Sequence, residues 1–170
     1  MSVAEEMSAA PSAAPRRPLK QTTAGGFIAW ARRTFGRATP RAQVIAAPAL
    51  RLGDQLDVSW RIDYGRLDVT NVSVTLVATE VARQRLSART GISTVTETRP
   101  FVELPIDRKM PEPTARAADG RGAVLVPLAT VPSLAGTLNE ISWAIVIEAA
   151  HQSKPLWRGE FPVTVLPRSP

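Results

Sequence analysis

Apolar and polar positions alternate along most of the second three-quarters of the chain. Ile141, Trp143, Ile145 and Ile147 alternate with Ser142, Ala144, Val146 and Glu148. A period of two marks one buried face of a strand, and this run predicts a central strand with Trp143 in the middle of the core. Leu56, Val58, Trp60 and Ile62 alternate with Asp57, Ser59, Arg61 and Asp63, a second half-buried strand. Over Val69–Arg83, Val72, Val74, Leu76 and Ala78 face one way and Thr70, Ser73, Thr75 and Val77 the other. Thr94–Ile106 returns with Val102, Leu104 and Ile106 inward, and Trp157–Val165 closes with Phe161, Val163 and Val165 inward. Val44–Leu50 reads as a first edge strand, because Pro48 removes a ladder donor and is tolerated at an edge. Ala123–Leu128 is apolar and β-prone, and Pro127 and Pro132 forbid a helix through the stretch that follows.

Turn chemistry separates these runs. Leu52–Gln55, Tyr64–Arg66 and His151–Lys154 read as turns, Leu86–Ser93 as a polar hairpin tip with Gly91, and Leu134–Asn139 as a loop. Asp107–Arg121 reads as a longer polar loop, with Pro111, Pro113 and Asp119-Gly120. Seven or so strands with no helix between them predict an all-β, antiparallel, Ig-like sandwich over residues 42–167. The run from Gly122 to Asn139 carries no charge. Its two prolines, glycines and hydroxyl residues argue against a membrane span.

The order Val126-Pro127, Pro132-Ser133, Gly136 and Ile141-Ser142-Trp143 resembles a run in arrestin-like β-sandwiches. There Leu-Pro, Pro-Pro-Ser, a glycine and Ile-x-Tyr-x-Val follow one another. One proline precedes Ser133 where the family often has two, and Trp143 stands where tyrosine is usual. The resemblance spans residues 42–167 and implies a bacterial arrestin-fold domain. The phosphate-sensing basic residues of animal arrestins have no matching motif here, so none is assigned.

Residues 1–41 have a different character. Met1–Thr23 is rich in Ala, Ser and Pro and has too little apolar bulk to fold alone. Its early Glu5 and Glu6, with no apolar core region after them, are unlike a secretory signal. Gly26–Arg37 predicts a short amphipathic helix. On a helix, Phe27, Ile28, Trp30, Ala31, Thr34 and Phe35 fill an arc of about 160°. Arg32, Arg33 and Arg37 take the other side. The expected partner-binding residues are therefore Phe27, Ile28, Trp30, Arg32, Arg33, Phe35 and Arg37, on an extended basic arm over residues 1–41.

Charge follows the same division. The net charge of +6 divides into +5 for residues 1–41, with seven Lys/Arg and two Glu, and +1 for residues 42–170, with fourteen Lys/Arg and thirteen Asp/Glu. The domain thus has the interspersed surface of an ordinary soluble protein. The preference for Arg over Lys fits a GC-rich genome. There is no cysteine and a single histidine, His151, which is too few ligands for a zinc site. No Asp-x-Asp-x-Asp cluster offers a calcium loop, and the glycines at 25 and 26 lack the lysine of a phosphate loop. His151 is expected to be a solvated turn residue.

These features point away from an enzyme, a cofactor or a small-molecule substrate. They point to a cytoplasmic accessory subunit docked by its arm on the surface of a multi-subunit membrane complex (respiratory, photosynthetic or transport), with an anionic membrane as a further contact. Two alternatives stand beside this: a soluble arrestin-like adaptor that binds peptides by strand addition, and nucleic-acid binding through the arm.

Overall fold

A computed structural model describes residues 21–22, 40–88 and 91–168. Ten strands run β1 Gln21–Thr22, β2 Arg41–Ala46, β3 Ala49–Arg51, β4 Gln55–Asp63, β5 Asn71–Ala88, β6 Gly91–Lys109, β7 Ala117–Leu125, β8 Leu134–Ala135, β9 Asn139–His151 and β10 Lys154–Leu166. They form two sheets. One has the order β1-β2-β4-β7. The other has the order β3-β10-β9-β5-β6, with β8 added to β9. No helix occurs among the described residues. The all-β sandwich is the architecture that the alternation predicts, and the central strand is β9, which pairs with both β5 and β10.

The core lies between the sheets. Leu56, Val58, Trp60 and Ile62 of β4 meet Val72, Val74, Leu76 and Ala78 of β5, Trp143, Ile145 and Ile147 of β9, and Phe161, Val163 and Val165 of β10. Trp60 is 3% exposed and Trp143 2%, buried as the alternation predicts, and they lie in opposite sheets. Each indole N–H is spent on a fixed acceptor: Trp60 Nε1 donates to Asp107 Oδ2 at 2.8 Å, and Trp143 Nε1 to the Val131 carbonyl at 3.1 Å. Buried aromatic donors require such partners.

Three expectations need correction. Val44–Leu50 is two strands in different sheets. The chain leaves β2 at Ala46, crosses at Ala47-Pro48, and enters β3, which runs parallel to the end of β10. Pro48 marks a change of sheet as well as an edge: it lacks a donor, and its carbonyl accepts from Thr164 N at 3.0 Å. Asp107–Arg121 is mostly strand. β6 continues to Lys109 and β7 begins at Ala117, so Asp119-Gly120 lies within a ladder opposite Arg61 and Trp60. Gly120 and Gly122 are there because of close approach. A Cβ at Gly120 would strike the Trp60 ring and the Asp107 carboxylate, and one at Gly122 would strike the Ile106 backbone. The edges of the two sheets close on each other through these two bare positions. Finally, the hairpin expected at Leu86–Ser93 carries more ladder than expected: β5 and β6 stay paired from Thr79↔Pro100 out to Ala88↔Gly91.

Candidate interaction surfaces

The seven arm residues, Phe27, Ile28, Trp30, Arg32, Arg33, Phe35 and Arg37, lie outside the described residues, as does the helix expected over residues 26–37. The described segments on either side of them both belong to one strand neighbourhood. Gln21 and Thr22 pair with Ile45 and Val44 of β2, and β2 itself begins at Arg41.

A second surface lies at one end of the sandwich, where β7 hands over to β9. Leu125, Leu128, Val131, Leu134 and Leu138 are 63, 56, 44, 51 and 55% exposed. All five fall in the uncharged run that follows Arg121. The backbone beneath them is pinned. Val126 N donates to Asp54 O at 3.0 Å and Gly53 N to Val126 O at 2.9 Å. Ser133 N donates to Val165 O at 2.8 Å, while Val165 N donates to Ser133 Oγ at 2.9 Å. The Val131 carbonyl takes the Trp143 indole, and β8 adds Leu134 and Ala135 to β9. The connection is thus held at both sheets while its leucines point outward. Leu128 covers Gly53, whose φ of +89° suits glycine, and borders an open depression of about 330 Å³ rimmed by Arg51, Asp54 and Arg168. Single exposed apolar side chains are ordinary, whereas five within fourteen residues on a fixed backbone make a candidate interaction surface.

The signal for this second surface was in the sequence, as the absence of charge from Gly122 to Asn139. The pattern by itself predicts two strands around a loop, because alternation cannot say which apolar residues of a connection turn outward.

At the opposite end a histidine and an aspartate approach one another. His151 closes β9, is part-buried, and sets Nδ1 3.1 Å from both the carbonyl and the carboxylate Oδ2 of Asp68. Gln152, at φ 54°, donates its backbone N–H to Thr70 Oγ1 at 2.6 Å. These bonds tie the β9–β10 turn to the β4–β5 crossover, so His151 is a clasp where a freely solvated turn residue was expected. Tyr64 Oη donates to the Ala117 carbonyl at 3.2 Å, and burial pushes its phenol up from the usual value of 10.0. Among the described residues no group of three or more His, Asp or Glu side chains is placed to hold a metal ion, and no helix is long and apolar enough to cross a membrane.

No protein-family model matches the chain, and no curated protein matches it. Among solved structures the sporulation control protein Spo0M of Bacillus subtilis is similar over 76% of this chain and 50% of its own, at 11% identity and a TM-score of 0.49. The chain thus spans about half the length of that protein. A likeness at this level carries no function across. The two-sheet architecture itself matches what the resemblance to arrestin-like sandwiches implies.

Proposed function

We propose that this protein is a non-enzymatic interaction module, an accessory or adaptor subunit that docks on a larger assembly. The observation that carries the reading is the pinned, uncharged connection between β7 and β9, with Leu128, Val131, Leu134 and Leu138 turned to solvent. Leaving so much apolar area in water forgoes roughly 25 cal/mol per Å², and a partner that covers it recovers that energy. Because the backbone is already fixed, little ordering entropy opposes such docking. The arm supplies the second contact through Phe27, Ile28, Trp30 and Phe35.

The assembly that fits best is the cytoplasmic surface of a multi-subunit membrane complex, with the protein peripheral to the bilayer. Arg32, Arg33 and Arg37 would add only ~1 kcal/mol each near an anionic leaflet. Lipid alone is therefore a weak anchor, and a protein groove must supply the rest.

Co-sedimentation of the full-length protein with membranes of its own cells tests this, set beside protein-free anionic vesicles. Binding to the membranes but not to the vesicles is expected. Leu128→Ser with Leu134→Ser and Leu138→Ser should release the protein, as should Trp30→Ala with Phe35→Ala, while the melting temperature of the sandwich holds. If both variants stay bound, these surfaces are not the docking sites. If vesicles bind as well as membranes, the partner is lipid.

A further inference from the structure

We propose that the depression beside Leu128 receives an acidic side chain of the partner, held between the guanidinium groups of Arg51 and Arg168, with the partner's neighbouring apolar residue on Leu128. This rests on the reading that the connection between β7 and β9 is a docking surface, and it names the chemistry of what docks there. The depression, about 330 Å³, is lined by Arg51, Leu52, Gly53, Asp54, Leu128 and Arg168. Binding sites combine apolar walls with a few polar groups that fix orientation. Leu52 and Leu128 supply the wall here, and the two arginines supply the polar groups.

The lining is fixed from several sides. Arg51 ends β3 opposite Leu166 of β10, two residues before Arg168. Leu52 N donates to Leu166 O at 3.0 Å, Gly53 N to Val126 O at 2.9 Å and Val126 N to Asp54 O at 3.0 Å. Leu128 lies over Gly53, so close that a Cβ there would strike its side chain. Arg51 Nη1 donates to the Pro167 carbonyl at 3.0 Å. That bond orients the guanidinium and uses one of its five N–H donors, which leaves the others for a carboxylate. A site ordered in advance loses little entropy on binding.

The occupant follows from charge. Arg51 and Arg168 are exposed, and neither takes part in an ion pair among the described residues. The one acid of the lining, Asp54, spends Oδ2 on the Arg51 backbone N–H at 2.8 Å. The stretch that carries Leu128 has no charge from Gly122 to Asn139. Two arginines and one aspartate therefore leave the lining at +1. That matches a single carboxylate, whereas a phosphate group brings about −1.5 to −2. Because the depression is open, a chain can pass across it, and the acid is an internal Asp or Glu beside an apolar residue.

Chemical-shift titration of the isotope-labelled full-length protein with short blocked peptides tests this. The probe is acetyl-Ser-Leu-Glu-Leu-Ser-amide, set beside the same peptide with Gln, Lys or phosphoserine in place of Glu. The Glu peptide should shift the amides of Arg51, Gly53, Leu128 and Arg168. It should bind about fivefold more tightly than the Gln peptide, since exposed charge pairs add little each. Arg51→Glu with Arg168→Glu should reverse the order, so that the Lys peptide binds more tightly than the Glu peptide, with unchanged circular dichroism. Arg168→Glu alone leaves the Arg51 bond to Pro167 in place and should still weaken the Glu peptide by about threefold. No shift at those amides with millimolar Glu peptide, equal binding of the Glu and Gln peptides, tighter binding of the phosphoserine peptide, or an order that survives the charge reversal would each overturn the proposal. If the leucine variants leave native membranes while the Glu and Gln peptides bind alike, the docking surface stands and its acidic partner falls.

Discussion

Tyr64 is the only tyrosine of the chain, so its ionisation can be followed by ultraviolet absorbance with no other phenol contributing. Burial raises its pKa in the folded state above 10.0. The folded form therefore holds the proton more tightly than the unfolded form. The stability that Tyr64 contributes is complete below about pH 10 and is lost as pH rises through the folded value. We expect the absorbance midpoint to lie above 10 in buffer and to fall back to about 10 in denaturing urea. Tyr64→Phe should remove the alkaline loss of melting temperature and cost about 1 kcal/mol at neutral pH through the lost bond to Ala117. A midpoint of 10 in the folded protein would show the ring to be solvated. Trp143 sets the other residue-scale expectation. Its side chain is 2% exposed in the central strand, and its N–H fixes the Val131 carbonyl. Trp143→Ala should destabilise by roughly 3–5 kcal/mol, read by urea denaturation. A variant within half of that range of the parent would contradict the packing.

At the scale of elements, legibility followed the number of faces buried. β4 and β10 alternate cleanly because one side of each meets the core, and β5 and β9 do so along most of their length, so their positions can be read from the apolar residues alone. β7 could not be read this way. Its inward places include Gly120 and Gly122, which contribute no apolar side chain, and Asp119-Gly120 has the chemistry of a turn. The alternation stops at Arg83 and resumes at Thr94, while the β5–β6 ladder runs on to Ala88↔Gly91. The apolar end was missed for another reason. Val126 is fully buried and Leu128 is 56% exposed only two positions on, and the difference is set by where Asp54 and Val165 pin the backbone. The reading of β7 has a direct check. Gly120→Ala puts a methyl group against the Trp60 ring and Asp107. It should cost about 1–3 kcal/mol, as overpacking does. A glycine that served only as a loop would accept alanine with no loss, or with a small gain from the stiffer unfolded chain.

At the scale of the whole molecule, the separation of charge from apolar surface decides among partner classes. Residues 1–41 hold +5 of the net +6, and the sandwich end that turns leucines outward belongs to a run with no charge at all. A nucleic-acid partner would be held by the arm's Arg and Lys side chains through counterion release, with log K falling by about 0.9 per phosphate neutralised for each tenfold rise in salt. If all seven basic residues of the arm engaged phosphates, the affinity would drop by about three orders of magnitude or more between 50 and 200 mM salt. A partner held by Phe27, Ile28, Trp30 and Phe35 together with Leu128, Leu134 and Leu138 responds differently, because apolar burial is not screened and only the rim charges are. We therefore expect retention on the native membrane fraction to change by less than about threefold over that range of salt. Single-site Arg32→Gln and Arg37→Gln variants should shift the slight slope that remains and leave the affinity at high salt unchanged. A steep fall with salt, abolished by the arginine substitutions and indifferent to the leucine ones, would move the protein to the nucleic-acid class and remove the apolar end from the interface.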